Sequence, residues 1–169
     1  MHTFETPVVG FVGRSGAGKT QFLERLILFL RSKGWRLAVV KHTHRRGLQT
    51  DQPGSDSYRF WEAGANHVTL ATPDRVVHTH RHETDPLLSE VIADIQGVDL
   101  ILVEGYKSSS VPKLEVVRAE SDRHPLEHVS HRLAFITDVP ELQNEGRWFG
   151  LGDVQGVAHF LIDAFVDKG

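Results

Sequence analysis

The chain contains no cysteine, so neither a disulfide framework nor a thiolate metal site is available to it. Its net charge of −3 leaves no basic excess of the kind that binding to nucleic acid requires. The longest apolar run, LILFL at residues 26–30, is far shorter than the roughly 20 residues that cross a bilayer. The first residues also lack the charged, apolar and cleavage regions of a signal peptide. We therefore expect a cytoplasmic protein with no nucleic-acid partner and no membrane span.

The composition that remains is typical of one soluble domain. Of the 169 residues, 40% are hydrophobic and 24% are charged, which is ordinary for a globular protein. A chain of this length buries about two-thirds of the surface that it exposes when extended. No internal repeat, low-complexity tract or linker divides the sequence. We therefore predict a single domain over residues 1–169.

Strand and helix patterns alternate along the chain. Val8–Val12 is almost continuously apolar, which is typical of a strand buried on both faces, and a glycine-rich turn follows it. Apolar residues then recur at helical spacing over residues 19–33, and Gly34 supplies a stop signal. Later strands are predicted at residues 37–40, 99–105, 114–118 and 133–137, and helices from Ser55 or Asp56 through Gly64, at 85–96 and at 157–166. The alternation predicts an α/β fold with a mostly parallel sheet flanked by helices.

Residues 67–82 depart from this alternation. VTLAT and RVVHTHRH are both strand-like, and the turn residues Pro73 and Asp74 separate them. We interpret them as a β-hairpin inserted between helices. An inserted strand pair would leave an open edge, so the hairpin is a candidate dimerisation element.

The turn after the first strand has the spacing G-x-x-x-x-G-K-[ST]. Its fixed positions are Gly13, Gly18, Lys19 and Thr20, and Gly16 adds freedom inside the loop. Backbone N–H groups curl round an anion in such a loop, and the following helix points its partial positive end at the same place. The pattern predicts a phosphate cradle for a nucleoside triphosphate formed by Gly13, Arg14, Ser15, Gly16, Ala17, Gly18, Lys19 and Thr20.

Carboxylates that could hold Mg²⁺ accompany this loop. Thr20 offers a hydroxyl to the metal, and Glu104 ends an apolar strand, where ligands bind in open α/β sheets. The alternative for Glu104 is a strand-end surface residue, which we consider less favoured. Asp51 could hold Mg²⁺ or its water shell, but aspartates in TDQPGSD are equally typical of turns and helix caps.

Several motifs together resemble one family. GFVGRSGAGKT, VVKHTHRRGLQTDQPGSDSYRFWEAGA and LILVEGYKSSSVPKLEVVR are similar to the MobB family of molybdopterin-guanine dinucleotide biosynthesis adaptors over roughly the first 120 residues. The resemblance implies a P-loop fold like that of signal-recognition-type GTPases, GTP and Mg²⁺ as cofactors, and at most weak hydrolysis. It also implies a homodimer that assists molybdopterin guanylyltransferase, the enzyme that joins GMP to molybdopterin. Residues 119–131 match no motif.

The resemblance assigns roles to further residues. It places Glu104 and Asp51 near Mg²⁺, and Lys41 and His42 beside the phosphates or the incoming molybdenum cofactor. A charged strand terminus in water is an equally good interpretation of the last two. Guanine is usually selected by an N-K-x-D segment, and this sequence has none. Thr137 and Asp138 follow a late strand, in a place comparable to that of such a segment.

A small-molecule or nucleoside kinase is the alternative function. The G-x-x-x-x-G-K-[ST] loop, called a Walker A loop, and a strand that ends in Glu-Gly suit a kinase as well as a GTP-binding adaptor. Kinases generally carry a lid with several arginines, and the best local candidates here are Arg118 and Arg123. That cluster is small, so we favour the adaptor. A purely structural interaction domain would require the Walker loop to be accidental.

Two other groups of side chains are expected to be structural. His78, His80 and His82 alternate along one predicted strand, but neighbours at i and i+2 lie about 7 Å apart, too far to share a metal ion without a second strand or a favourable rotamer. We therefore expect a solvated strand face there. The aromatic residues Tyr58, Phe60 and Trp61 could stack on a pterin, although core packing is the more common role of such a group.

Overall fold

A computed structural model describes residues 5–165. Its elements in chain order are β1 (Val8–Val12), α1 (Lys19–Ser32), β2 (Leu37–Lys41), α2 (Asp56–Glu62), β3 (His67–Ala71), β4 (Val76–His80), α3 (Leu88–Ile92), β5 (Leu100–Glu104), β6 (Lys113–Val117), β7 (Arg132–Thr137), a 3₁₀ helix (Pro140–Asn144), β8 (Trp148–Phe149) and α4 (Val154–Phe165). Contacts within the chain divide it into two compact units, Met1–Thr43 with Leu88–Gly169, and His44–Leu87. Whether one domain spans residues 1–169 stays a prediction.

The first unit contains a six-stranded sheet in the order β2-β5-β1-β6-β7-β8, and all of its strand pairs are parallel. β1 lies centrally and every one of its residues is buried, as its continuous apolar pattern predicts. Helices α1 and α4 pack on one face of the sheet, and α3 contributes to a second apolar cluster that contains Ile101 and Val103. The predicted α/β architecture is confirmed.

Helix α1 shows how the pattern produces the packing. Phe22, Leu23, Leu26 and Leu30 are buried and recur at helical spacing, so one side of α1 faces the sheet. The chain leaves the helix at Gly34, which has a φ of +88° that glycine adopts without strain. The predicted stop is therefore confirmed, and the helix ends at Ser32, just before this glycine.

The helix that the sequence predicts at residues 85–96 is much shorter in the structure, where α3 is only Leu88–Ile92. Pro86 disfavours helical geometry at Asp85, which delays the start. The N–H of Ile95 donates to the carbonyl of Ile92, so a tight turn ends the helix early. The prediction was therefore wrong at both ends.

Helix α4 begins before the predicted residue 157, because Asp153 accepts a hydrogen bond from the N–H of Gly156 at 2.9 Å and caps the helix at Val154. The predicted end at Val166 lies outside the described residues. No helix among residues 5–165 is long and apolar enough to cross a membrane.

The second unit contains α2 and the antiparallel pair of β3 and β4, which is the predicted hairpin. The strands pair in register from His67 opposite His80 to Ala71 opposite Val76. Ser55 accepts a hydrogen bond from the N–H of Tyr58 at 3.2 Å and caps α2, so one of the two predicted caps is confirmed.

Candidate functional site

The phosphate loop joins β1 to α1 in the first unit. Gly13 has a φ of +142°, and a Cβ atom there would lie 2.3 Å from the carbonyl oxygen of Val116, so β6 leaves no room for a side chain. Gly18 occupies the N-cap of α1 in the left-handed conformation. The N–H of Phe22 donates to the Gly18 carbonyl at 3.0 Å and begins the helical ladder, so the preceding N–H groups point toward the loop. Loop and helix therefore have the geometry that an anion cradle requires, and phosphate binding there stays a prediction.

Lys19 lies inside this loop. Its Nζ atom donates to the carbonyl oxygens of Arg14 at 2.8 Å and Gly13 at 3.2 Å. Burial lowers the pKa of Lys19, and the nearby Glu104 carboxylate offsets only part of that effect. An anionic phosphate would therefore stabilise a charged group that the protein only partly solvates.

Glu104 occupies the carboxyl end of β5 and contacts two predicted site residues. One carboxylate oxygen accepts a hydrogen bond from the Thr20 hydroxyl at 3.0 Å, and the other pairs with the Lys41 Nζ at 2.9 Å. Lys41 lies directly opposite Glu104 in the parallel register of β2 and β5. The Glu104 side chain is 12% exposed and that of Lys41 is 57% exposed. The structure therefore brings Glu104, Lys41 and the N-terminus of α1 to one edge of the sheet.

A cavity of about 410 Å³ lies at this edge. Sequence reasoning missed Gln21 as a lining residue and considered Arg118 only as part of a kinase lid. Arg118 directly follows β6, whose carboxyl end adjoins the phosphate loop. Because ligands bind at the carboxyl ends of parallel strands, this position could have identified Arg118 from the sequence. The cavity is lined by Ser15, Gly16, Gly18, Lys19, Thr20, Gln21, Lys41, Glu104 and Arg118.

Arg118 is paired in the structure. Its Nη2 atom lies 2.8 Å from the Glu120 carboxylate, and its Nη1 atom lies 4.0 Å from where a Cβ of Gly18 would be. The guanidinium thus faces the helix N-terminus while an acidic side chain neutralises it. By contrast, Arg123 donates to both carboxylate oxygens of Glu141 and is not among the residues that line the cavity.

His42 follows β2 at the same end of the sheet. Its N–H donates to the carbonyl of Glu104 at 2.8 Å, and its ring lies 4.3 Å from that of Tyr106 between centroids. Tyr106 has a φ of 47°, a left-handed conformation that is unusual for a bulky residue. The backbone contact fixes His42 beside Glu104, and a role at the phosphates or at the incoming cofactor stays a prediction.

Thr137 ends β7 and Asp138 follows it; these are the residues predicted to take the place of a guanine-reading segment. Thr137 is buried, and its hydroxyl accepts a hydrogen bond from the N–H of Val139 at 2.9 Å. Asp138 is exposed and accepts from the N–H of Ala119 at 2.8 Å. The Asp138 carboxylate is the more accessible of the two side chains. Recognition of guanine by either residue stays a prediction.

Asp51 belongs to the second unit, where its carboxylate organises a local turn. It accepts hydrogen bonds from the N–H of Gln52 at 2.7 Å and from the hydroxyls of Ser55 and Ser57. The hydrogen bond from Ser57 is the largest cause that lowers the pKa of Asp51, followed by that from Gln52. These contacts support the turn and cap interpretation, and its role as a metal ligand stays a prediction.

Residues 119–131, which match no motif, are fixed to the sheet by two buried charges on β6. The Lys113 Nζ donates to three carbonyls, those of Ser109, Val111 and Ser130, and burial lowers its pKa. Glu115 accepts from the N–H of Leu126. Its other oxygen lies 2.7 Å from the Arg132 Nε without hydrogen-bond alignment, so that contact is ionic. The segment also reaches the phosphate loop, since Arg14 Nε lies 2.9 Å from the Asp122 carboxylate.

The aromatic residues of α2 are not core residues, as no residue of α2 is buried. Phe60 is 61% exposed. Tyr58 and Trp61 line a cavity of about 450 Å³ within the second unit, and the Arg81 guanidinium lies 3.9 Å from the Trp61 ring centroid. The expectation of core packing was therefore wrong for this helix, because seven residues on a small hairpin unit do not form an interior.

Comparison with known proteins identifies the family of this chain. The model of the family MobB, described as molybdopterin guanine dinucleotide synthesis protein B, matches residues 8–138, which is more than half of the chain. The chain belongs to the MobB family. The resemblance inferred from the motifs is confirmed, and the matched range extends to Asp138, past the segment that no motif explained.

MobB relatives are similar over most of their length. The molybdopterin-guanine dinucleotide biosynthesis adapter protein of Escherichia coli (strain K12) is 34% identical over 163 residues, covering 93% of this chain and 92% of the relative. The protein of the same name from Haemophilus influenzae is 33% identical over 160 residues, covering 93% and 88%. The crystal structure of a MobB protein homolog from Bacillus stearothermophilus is 26% identical, with a TM-score of 0.69, and covers 93% of this chain and 96% of that one.

Proposed function

We propose that this chain is a GTP-binding adaptor that assists molybdopterin guanylyltransferase when GMP is attached to molybdopterin. The observation that carries the proposal is the contact of Glu104 with the Thr20 hydroxyl beside the Lys19 loop, in a chain of the MobB family. The relatives are named for molybdopterin-guanine dinucleotide biosynthesis, and GTP is the substrate class that supplies a guanylyl group. The nucleotide would serve delivery or assembly in the cytoplasm.

The residues present fit a triphosphate. Gly13 and Gly18 keep side chains out of the loop. Burial lowers the pKa of Lys19, so a bound anion would stabilise the charged form of this side chain. The helix α1 is long enough for its N-terminal N–H groups to favour negative charge. When bound, the triphosphate would contact these N–H groups and the Lys19 ammonium.

The residues present also fit Mg²⁺, which prefers oxygen ligands. Thr20 and Glu104 supply a hydroxyl and a carboxylate that lie 3.0 Å apart. Lys41 neutralises the same carboxylate from the other side, so the metal would compete with an exposed ammonium for Glu104. When bound, Mg²⁺ would neutralise phosphate charge, and Thr20 and Glu104 would hold it.

We propose that hydrolysis is slow at most. The cavity contains one arginine, Arg118, and this guanidinium pairs with Glu120. A free arginine that contacts the transferring phosphoryl group accelerates such reactions by about 10³–10⁵. An adaptor that holds its nucleotide until the transferase uses it has no need of that acceleration.

We further propose a homodimer formed through the β3–β4 hairpin. Leu70 and Val77 lie opposite each other on one face of the hairpin and are 42% and 39% exposed, so this face presents apolar surface to solvent. A second copy would cover this surface and the strand edges. Light scattering at tens of micromolar should show particles of twice the 19.0 kDa chain mass, and 19.0 kDa particles alone would contradict the dimer.

Reconstitution tests the function. Purified transferase, molybdopterin, GTP and Mg²⁺ are incubated with the full chain or with Lys19→Ala, and dinucleotide product is quantified. We expect the wild-type chain to raise product formation and Lys19→Ala to remove that increase. Unchanged guanylylation would refute the adaptor role, and rapid phosphorylation of a small acceptor by the chain alone would favour a kinase.

A further inference from the structure

The β3–β4 hairpin brings together histidines that the sequence separates. His67 lies directly opposite His80 in the antiparallel register, and their ring centroids are 4.1 Å apart. The N–H of Arg81 donates to the carbonyl of Asn66, so this neighbouring pair is hydrogen-bonded and the His67–His80 pair is not. Side chains approach most closely at such non-hydrogen-bonded positions.

Two more histidines flank the pair. The ring centroid of His78 lies 5.9 Å from that of His67, and the centroid of His82 lies 5.5 Å from that of His80. The His78 Nδ1 is 3.0 Å from the Thr69 hydroxyl, which orients that ring. All four imidazoles belong to exposed residues, so core packing does not explain the cluster.

The register removes the objection to metal binding that same-strand spacing raises. Neighbours at i and i+2 lie about 7 Å apart, but directly opposed Cβ atoms lie about 4.5–5.5 Å apart. A metal ion that is about 2.0–2.1 Å from each imidazole nitrogen requires two nitrogens within about 4 Å. Because His67 and His80 are exposed and directly opposed, with ring centroids 4.1 Å apart, rotation about their side-chain bonds can bring one nitrogen of each ring to that distance.

We propose that His67 and His80 chelate a divalent transition metal ion. Imidazole suits Cu²⁺, Ni²⁺ and Zn²⁺, and the general affinity order places Cu²⁺ first. Two protein ligands leave coordination positions for water or for a ring of His78 or His82, which fits Cu²⁺ and Ni²⁺ better than a closed four-ligand structural zinc site. This site belongs to the second unit, whereas the phosphate loop belongs to the first, and the proposal does not rest on GTP binding.

The second unit offers one competing site. The His44 Nδ1 lies 3.6 Å from the Asp85 carboxylate, and both side chains are of types that bind transition metals. A test of the proposal must therefore separate His44 from the hairpin pair.

The experiment is a titration of the full chain, without an affinity tag, with CuCl₂, NiCl₂ and ZnCl₂ in a non-chelating buffer at pH 7.5. The variants are His67→Gln and His80→Gln, and the controls are His44→Gln and His128→Gln, an exposed histidine outside the hairpin. Calorimetry gives the affinity, and electron paramagnetic resonance of bound Cu²⁺ counts its nitrogen ligands. Circular dichroism confirms that each variant is folded.

We expect the wild-type chain to bind Cu²⁺ most tightly, with at least two nitrogen ligands. Loss of either hairpin imidazole should weaken binding at least about tenfold, since even changes outside the ligand shell commonly cost 10–100-fold. Both controls should bind as wild type does. Equal affinity in folded His67→Gln and His80→Gln, or loss of binding in His44→Gln instead, would overturn the proposal.

Discussion

Substitution of Glu104 by glutamine should separate metal binding from nucleotide binding. The change removes a negative charge and keeps the shape of a side chain that contacts the Thr20 hydroxyl at 3.0 Å and the Lys41 ammonium at 2.9 Å. Lys41 is 57% exposed, so water solvates it when its partner is neutralised. The fold should therefore persist, while the oxygen that would hold Mg²⁺ loses its charge.

The size of the effect follows from the lost interaction. A hydrogen bond or ligand contact to a charged group contributes about 1.5–3 kcal/mol. Each 1.4 kcal/mol corresponds to about a tenfold change, so the apparent Mg²⁺ affinity in the presence of GTP should fall roughly 10- to 100-fold. GTP affinity without Mg²⁺ should change little, or should rise because a carboxylate near the phosphates is gone.

The assay is a titration of a fluorescent GTP analogue at a series of Mg²⁺ concentrations. Glu24→Gln is the matched control, because Glu24 is exposed on the same helix as Thr20 and carries the same charge change. We expect the control to match wild type at every Mg²⁺ concentration. If folded Glu104→Gln showed the same metal dependence as wild type, Glu104 would not be a metal ligand.

Three further predictions concern neighbouring charges. Arg118→Ala should weaken GTP binding and Glu120→Gln should strengthen it in the same fluorescence assay, because Glu120 neutralises the arginine that lines the cavity. If both variants changed the GTP affinity in the same direction, this pairing would be contradicted. Lys113→Met should lower the free energy of unfolding by about 1–3 kcal/mol in urea titrations, since buried carbonyls lose their donor; unchanged stability would show that these contacts contribute nothing. Burial lowers the pKa of Lys19 in the unliganded chain, and a bound phosphate would raise it. GTP binding should therefore take up a proton at alkaline pH, and GTP affinity should fall as pH rises through the lowered pKa. Calorimetry at pH 9 in buffers of different ionisation enthalpy measures this proton uptake, and its absence would refute the contact between Lys19 and phosphate.

The strands and helices whose buried residues form long apolar patterns could be predicted from the sequence. Val8–Val12 and the face of α1 with Phe22, Leu26 and Leu30 have strong periodicity, and the structure buries them as expected. The phosphate loop was equally predictable, because its glycines and Lys19 occur at fixed spacing between a strand and a helix. Short elements were less predictable, and α3 ends early because a turn at Ile95 replaces helical bonding.

Long-range pairings could not be predicted, because no local pattern encodes them. The buried Lys113 and Glu115 read as ordinary charges in a strand, yet they fix the segment at residues 119–131 through backbone contacts up to seventeen positions away. The place of Arg118 at the cavity beside the phosphate loop depends on how β6 lies against β1. Likewise, only the hairpin register places His67 opposite His80.

Equilibrium binding of nucleotides to the full chain tests the central claim most directly. GTP and ATP are titrated calorimetrically with Mg²⁺ present, against wild type and Lys19→Ala, whose side chain donates only to loop carbonyls in the structure and so supports the fold little. The account predicts tighter binding of GTP than of ATP, and at least about a tenfold loss in Lys19→Ala, since a charge-assisted contact of about 1.5–3 kcal/mol is removed. GTP affinity that is unchanged in folded Lys19→Ala, or no binding of GTP to wild type, would contradict it.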